Sequence, residues 1–137
     1  MADETPPWFD VPLRVRYAET DAQGVVYHAN YLVYMEVARS ALTRDRGYPY
    51  QAMEAAGINL VVVDAHLRFR APAAYDDPLV VRTRIRELRG KLVVFDYRLE
   101  HAETGRLLVT AETTHLCVDG SFRPRAIPAD VARALGC

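Results

Sequence analysis

Three segments of this chain alternate apolar and polar residues over lengths that suit extended strands. In 59–70, Val61, Val63, Ala65, Leu67 and Phe69 share one face, and Asp64, His66, Arg68 and Arg70 share the other. In 79–88, Leu79, Val81, Thr83 and Ile85 oppose Arg82, Arg84 and Arg86; in 91–101, Val93, Phe95, Tyr97 and Leu99 oppose Asp96, Arg98 and Glu100. Such alternation marks strands of a sheet with one buried face. A fourth segment, 106–118, alternates less cleanly. A fifth begins at Pro12, where Leu13, Val15 and Tyr17 face away from Arg14 and Arg16. The stretches "RGK" at 89–91, "ETGR" at 103–106 and "DGSF" at 119–122 are turn signals. Matching the inward faces of 79–88 and 91–101 requires a three-residue loop, Arg89-Gly90-Lys91, or a bulge.

Only one segment promises a long helix. It runs from about Asn30 to Asp45, with Asn30 a suitable N-cap type and Gly47 and Pro49 supplying the stop. Glu36, Arg39, Ser40, Thr43 and Arg44 form a polar stripe, while Tyr31, Tyr34, Met35, Val37, Ala38, Ala41 and Leu42 cover the rest. Leu32 and Val33 project toward the polar side. Either the helix start is covered on an extra side, as by a second subunit, or these are ordinary exposed apolar residues. A short helical or irregular stretch at 50–56 ends at Gly57, and "IPADVARAL" at 127–135 reads as a terminal helix with Pro128 near its first turn. The order strand, helix, four strands, short helix predicts an α+β domain: an antiparallel sheet wrapped around the one long helix. Its outer face would carry Arg14, Arg16, Arg68, Arg70, Arg82, Arg84, Arg86 and Arg98. Asp64, Asp96, Glu100 and Glu112 are placed to pair with them, which favours a solvated or subunit-packing face over an anion site.

Composition narrows the class. The chain has 137 residues, half of them hydrophobic, which is enough for one domain with its own core. Residues 1–10 are expected to form a flexible N-terminal segment. The net charge of −1 gives no long-range field for nucleic acid or an anionic membrane. The two cysteines, Cys117 and Cys137, fit no metal-ligand spacing, so neither a metal nor a disulfide is expected. No apolar run approaches the ~18 residues of a membrane helix, and the N-terminus lacks a basic-then-apolar signal pattern. A cytoplasmic protein is the expectation.

The segment "DAQGVVYHAN" at 21–30 places an acid, a glycine, a histidine and an asparagine directly before the long helix. By residue type alone, Asp21 is a turn or cap aspartate, His28 a structural histidine and Asn30 a helix cap. The longer run "YAETDAQGVVYHANYLVYMEVAR" at 17–39 strongly resembles the opening of acyl-CoA thioesterases of the 4-hydroxybenzoyl-CoA thioesterase type, which have the hotdog fold. "FRAPAAYDDPLVVRTRI" at 69–85 looks like the family's aromatic–x–x–Pro–Ala segment. Within the family the sequence looks closest to the bacterial branch that includes the thioesterase encoded beside the Tol–Pal envelope system. One departure is Ala18-Glu19, where acidic pairs are frequent.

The resemblance implies an acyl-CoA thioester hydrolase. Asp21 would be its catalytic carboxylate, acting as nucleophile or general base. Backbone N–H groups near His28, at the helix start, would hold the oxyanion. His28 would orient water, assist the leaving thiolate or line the pocket. Tyr27 and Asn30 would contribute to substrate binding, and Arg70, Arg89 and Lys91 are candidates for the coenzyme A phosphates. Glu36 is expected to be solvated or paired with Arg39, and His66 and His115 to be structural. No cofactor is expected beyond the coenzyme A of the substrate itself, and the expected assembly is a homotetramer. Two alternatives share this fold: a non-catalytic module that binds acyl-CoA or acyl-carrier protein, and a dehydratase or hydratase.

Overall fold

A computed structural model describes residues 7–136. The chain runs through β1 (Phe9–Arg14), a single 3-10 turn (Tyr17–Glu19), α1 (Asn30–Asp45), α2 (Tyr50–Ala55), β2 (Asn59–Phe69), β3 (Pro78–Arg89), β4 (Leu92–His101), β5 (Leu107–Val118) and α3 (Ala129–Gly136). The five strands form one antiparallel sheet in the order β1-β3-β4-β5-β2. The expected N-terminal segment divides: residues 1–6 lie outside the described residues, while Phe9 and Asp10 belong to β1.

The alternating pattern is realised most fully in the middle of the sheet. Leu79, Val81, Thr83 and Ile85 of β3 and Val93, Phe95, Tyr97 and Leu99 of β4 are all buried. A bulge between Ile85 and Glu87 keeps the two inward faces together, so that Ile85 faces Phe95 and Leu88 faces Val93. The bulge thus solves the register problem, and the turn itself needs only Gly90, at φ +60, and Lys91.

α1 packs its buried stripe, Tyr31, Tyr34, Met35, Ala38 and Leu42, into the same core as the inner faces of β3, β4 and β5. Each such side chain removed from water contributes roughly 1.5–3 kcal/mol. The helix bounds agree with the sequence reading, but two faces do not. Thr43 is fully buried and Val37 is exposed, so the polar stripe is narrower and the uncovered apolar stripe, Leu32, Val33 and Val37, is wider than expected.

The two edge strands depart from their predicted patterns. β1 starts earlier than Pro12 and ends at Arg14, and Tyr17 turns out into solvent in the 3-10 turn. Among the described residues β2 pairs only with β5, carries a bulge between Val62 and Asp64, and leaves Val62, Val63 and Phe69 exposed. Of its predicted inner face Val61 and Leu67 are half-buried, while Val63, Ala65 and Phe69 are exposed, because α1 packs chiefly on β3 and β1.

The outer face is a ladder of cross-strand ion pairs: Arg82–Glu100 at 3.5 Å, Arg84–Asp96 at 3.5 Å, Arg86–Asp96 at 3.0 Å and Arg86–Glu112 at 2.7 Å. The Trp8 ring covers Arg84, 4.0 Å from the guanidinium carbon. A shallow concavity of about 610 Å³ is lined by Arg86, Asp96 and Glu112 of this ladder together with Trp8, His66, Arg68 and Arg98.

Candidate active site

The segment between the 3-10 turn and α1 folds into a tight loop. The Asp21 N–H donates to the Val25 carbonyl at 2.9 Å, the Gly24 N–H donates to the Asp21 carbonyl at 3.0 Å, and Gly24 takes φ +82. The Gln23 N–H donates to Asp21 Oδ1 at 2.9 Å, so the aspartate closes its own turn with one oxygen. No hydrogen bond engages its other oxygen, Oδ2, among the described residues, and the side chain is half-exposed.

The 70–77 segment clamps this loop from one side. The Val26 N–H donates to the Ala73 carbonyl at 2.9 Å, and Val25 forms a bridge with Ala74. Val15 and Asp76–Asp77 exchange backbone bonds of 3.0 and 3.1 Å, which ties the clamp to the end of β1. Asp77 Oδ2 accepts the Ala74 N–H at 2.8 Å and braces the turn, and Asp76 adopts φ +69.

The result is a cleft of about 380 Å³ bordered by Asp21, Val25, His28, Tyr31, Phe69 and Arg70. The His28 ring stands edge-on to Phe69 at 6.2 Å and leans on Tyr27 at 4.6 Å; Phe69 also meets Tyr31 at 5.7 Å. The lining is therefore part aromatic, with one carboxylate and one guanidinium. Arg70 is exposed and has no acid partner among the described residues.

The helix start borders the same cleft. The N–H groups of Asn30, Tyr31 and Leu32 are taken by the carbonyls of Tyr27, His28 and Ala29, and the Tyr27 N–H by that of Glu19. Those of His28 and Ala29 meet no protein acceptor among the described residues. Ala29, not Asn30, occupies the cap position, and no side chain among the described residues caps the helix. The Asn30 amide reaches instead to the Glu19 carbonyl at 2.9 Å. The expected cap role is thus replaced by one that fastens the loop, because Asn30 is already helical and its side chain points back across the entering chain.

Glu19 was not legible as a site residue from sequence. Its buried carboxylate accepts the Arg16 N–H at 2.8 Å, the Arg16 guanidinium at 2.9 and 3.0 Å, and the Tyr34 hydroxyl at 2.9 Å. Burial alone would push this carboxyl up; the hydrogen bonds from Arg16 and Tyr34 outweigh it and hold the group below the ordinary carboxylate range. Its carbonyl meanwhile accepts from both Tyr27 and Asn30. The one sequence signal was an acid two residues ahead of Asp21.

Asp21, His28 and Arg70 line the cleft; the Asn30 side chain is turned to the Glu19 carbonyl behind it, and Tyr27 flanks His28, half-exposed. Arg89 and Lys91 do not join them within one chain. Pro78, the first residue of β3, sits beside the clamp, and Arg89 ends the strand about 36 Å away at the usual strand rise. There Arg89 pairs with Glu87 at 3.3 Å, and α3 is fastened alongside by the Ile127 N–H on the Gly90 carbonyl at 3.0 Å. Of the two strand histidines, His115 is buried and His66 is exposed beside Asp64 at 3.0 Å.

A sheet packed on one long helix, with a carboxylate loop at the helix mouth, defines a class of protein, and comparison with known proteins agrees. The model of the thioesterase-like superfamily matches residues 15–135, and the chain belongs to that superfamily, with its hotdog fold. The acyl-CoA thioester hydrolase YbgC of Escherichia coli is 40% identical over 124 residues, covering 90% of this chain and 92% of that protein. A hypothetical protein of Thermus thermophilus superposes with a TM-score of 0.87 at 44% identity, covering 92% of this chain and 95% of its own. The DHNA-CoA thioesterase of Staphylococcus aureus superposes with a TM-score of 0.87 at 30% identity, covering 93% of this chain and 87% of its own.

Proposed function

We propose that this protein hydrolyses an acyl-CoA thioester to a free acid and coenzyme A. The observation that carries the reading is the free Oδ2 of Asp21, held in a cleft also lined by His28, whose N–H, like that of the adjacent Ala29, meets no protein acceptor among the described residues. A carboxylate so placed acts on the thioester carbon directly, forming a mixed anhydride, or takes a proton from a water that attacks it. The amides at the helix mouth receive the carbonyl oxygen as it gains charge, a contribution of about 3 kcal/mol where such donors are preorganised. The C–S bond then breaks and the thiolate of coenzyme A leaves; on the direct route a water next cleaves the anhydride, which releases the free acid and restores the Asp21 carboxylate, and His28 is placed to orient water or protonate the sulfur. Tyr27 and Phe69 border the acyl group, and Arg70 at the rim is available to a coenzyme A phosphate.

The assembly that fits this reading is a homotetramer built from dimers. β2 is an unpaired edge with exposed Val62 and Val63, and α1 leaves Leu32, Val33 and Val37 uncovered. Antiparallel pairing of two β2 strands would satisfy the edge and set the Phe69 end of one protomer beside the Asn59 end of the other.

Release of free thiol from a panel of acyl-CoAs tests the activity. Thiol release by the wild type, abolished in Asp21→Asn while acyl-CoA binding survives, is expected. No release from any member of the panel would instead favour a binding module, and unchanged turnover in the variant would remove Asp21 from the chemistry. A single turnover in oxygen-labelled water marks the direct route when label enters Asp21, because only an anhydride opened at the aspartyl carbon puts it there; where label enters only the acid, trapping of the anhydride by hydroxylamine separates nucleophile from base.

A further inference from the structure

Arg39, on the third turn of α1, is half-buried and has no carboxylate within salt-bridge distance among the described residues, unlike Arg82, Arg84, Arg86 and Arg98 on the outer face. Its Nη1 makes a long bond of 3.4 Å to the Tyr97 hydroxyl. That hydroxyl lies 2.6 Å from Thr113 Oγ1, which lies 2.8 Å from His115 Nε2. A guanidinium can only donate, so the Tyr97 hydroxyl is the acceptor at the Arg39 end of the chain. Tyr97, Thr113 and His115 are linked in series behind it, each hydroxyl able to donate or accept along the line. The chain is buried in the core at the histidine and surfaces at the arginine.

Where it surfaces there is a second pocket, of about 160 Å³. Ile58, Leu60, Tyr50 and Arg39 line its inner part, and the exposed Glu36 and Glu54 stand at its rim. The Tyr50 hydroxyl lies beside the guanidinium. Arg39 therefore presents several N–H donors to a partly enclosed space, with only phenols as partners among the described residues.

The pocket is in reach of the Asp21 cleft along α1. Arg39 is nine residues beyond Asn30, about 13 Å along the axis at the rise of an α-helix. Between the two, Leu32, Val33 and Val37 form an exposed apolar stripe. We propose that this pocket receives the far end of a medium-length acyl chain and selects an uncharged oxygen there, such as an ω-hydroxyl. Arg39 donates to that oxygen, and Glu36 accepts the hydroxyl proton. The two rim carboxylates disfavour an ω-carboxylate by charge repulsion. The inference rests on the Asp21 cleft being the thioester site.

The test compares kcat/KM for decanoyl-CoA, ω-hydroxydecanoyl-CoA and the ω-carboxyl analogue in the wild type, Arg39→Met and Tyr50→Phe. In parallel, calorimetry measures the binding of the non-hydrolysable decyl and ω-hydroxydecyl thioethers of coenzyme A. The wild type is expected to favour the hydroxyl over the plain chain on the order of tenfold, with the carboxyl form worst. Arg39→Met should erase that ratio while leaving decanoyl-CoA turnover within a small factor, and Tyr50→Phe, which keeps the guanidinium, should shrink it. Equal preference in the wild type, or equal losses on both chains in the variants, overturns the subsite. If no substrate is turned over, the thioether affinities still decide it: a preference for the hydroxyl form retains the subsite while the Asp21 reading fails.

Discussion

The Tyr34 hydroxyl donates to Glu19 Oε1 at 2.9 Å, joining the first turns of α1 to the loop that carries Asp21. The same glutamate accepts the backbone and guanidinium of Arg16, and its carbonyl accepts Tyr27 and Asn30. Both ends of the 19–30 loop are thereby fixed to one buried residue, and the position of Asp21 depends on it.

Glu19→Gln and Tyr34→Phe should therefore destabilise the fold, by about 1–3 kcal/mol for the first and about 1 kcal/mol for the second. Denaturant unfolding reads both. Because the folded Glu19 carboxyl lies below its unfolded value near 4.5, its contribution is present above that pH and is lost as the pH falls below it. Wild-type stability should drop in that acid range more steeply than that of Glu19→Gln. An identical pH dependence in the two proteins would contradict the role.

His115 provides a separate pH signature. Burial, assisted by the nearby Arg39 charge, pushes its pKa down from 6.5 to about 3. Its stabilising effect is complete above the unfolded value and is lost as the pH falls from about 6.5 toward about 3, at up to about 1.4 kcal/mol per pH unit. Unfolding free energies between pH 7 and 5 should fall for the wild type and stay flatter for His115→Gln. Parallel curves would show that the histidine does not carry the slope.

Gly24 sits at φ +82 with open space where a Cβ would go, so a side chain there costs conformational energy and not a clash. Gly24→Ala should lose about 1 kcal/mol, and Gly24→Asn less, because asparagine tolerates the left-handed region. Both should lower kcat more than stability, since this turn sets Asp21. Unaltered kcat in Gly24→Ala would mean the turn tolerates distortion.

Val63 is 54% exposed on the unpaired side of the sheet. Val63→Lys should leave the monomer folded and weaken assembly, read by light scattering or sedimentation. If the cleft is completed by a second copy, thiol release should fall along with the assembled fraction. Unchanged size distributions would remove the β2 edge from the interface.

The sequence by itself determined the sheet's middle and its one helix. The inward faces of β3 and β4 follow from strict alternation, and α1 follows from helical periodicity and its Gly47–Pro49 stop, because burial of one face dictates both patterns. The loop chemistry was legible as the motif 21–30, though which groups meet there was not. What only the tertiary structure decided were contacts between residues distant in sequence. Glu19 became a buried anchor because Tyr34 and Arg16 reach it, Asn30 a strap because Glu19 lies behind it, and Arg39 a half-buried donor because Tyr97 backs it. β2 reads as a buried strand by alternation and is an exposed edge in fact, since no pattern within a strand records whether another element will cover it.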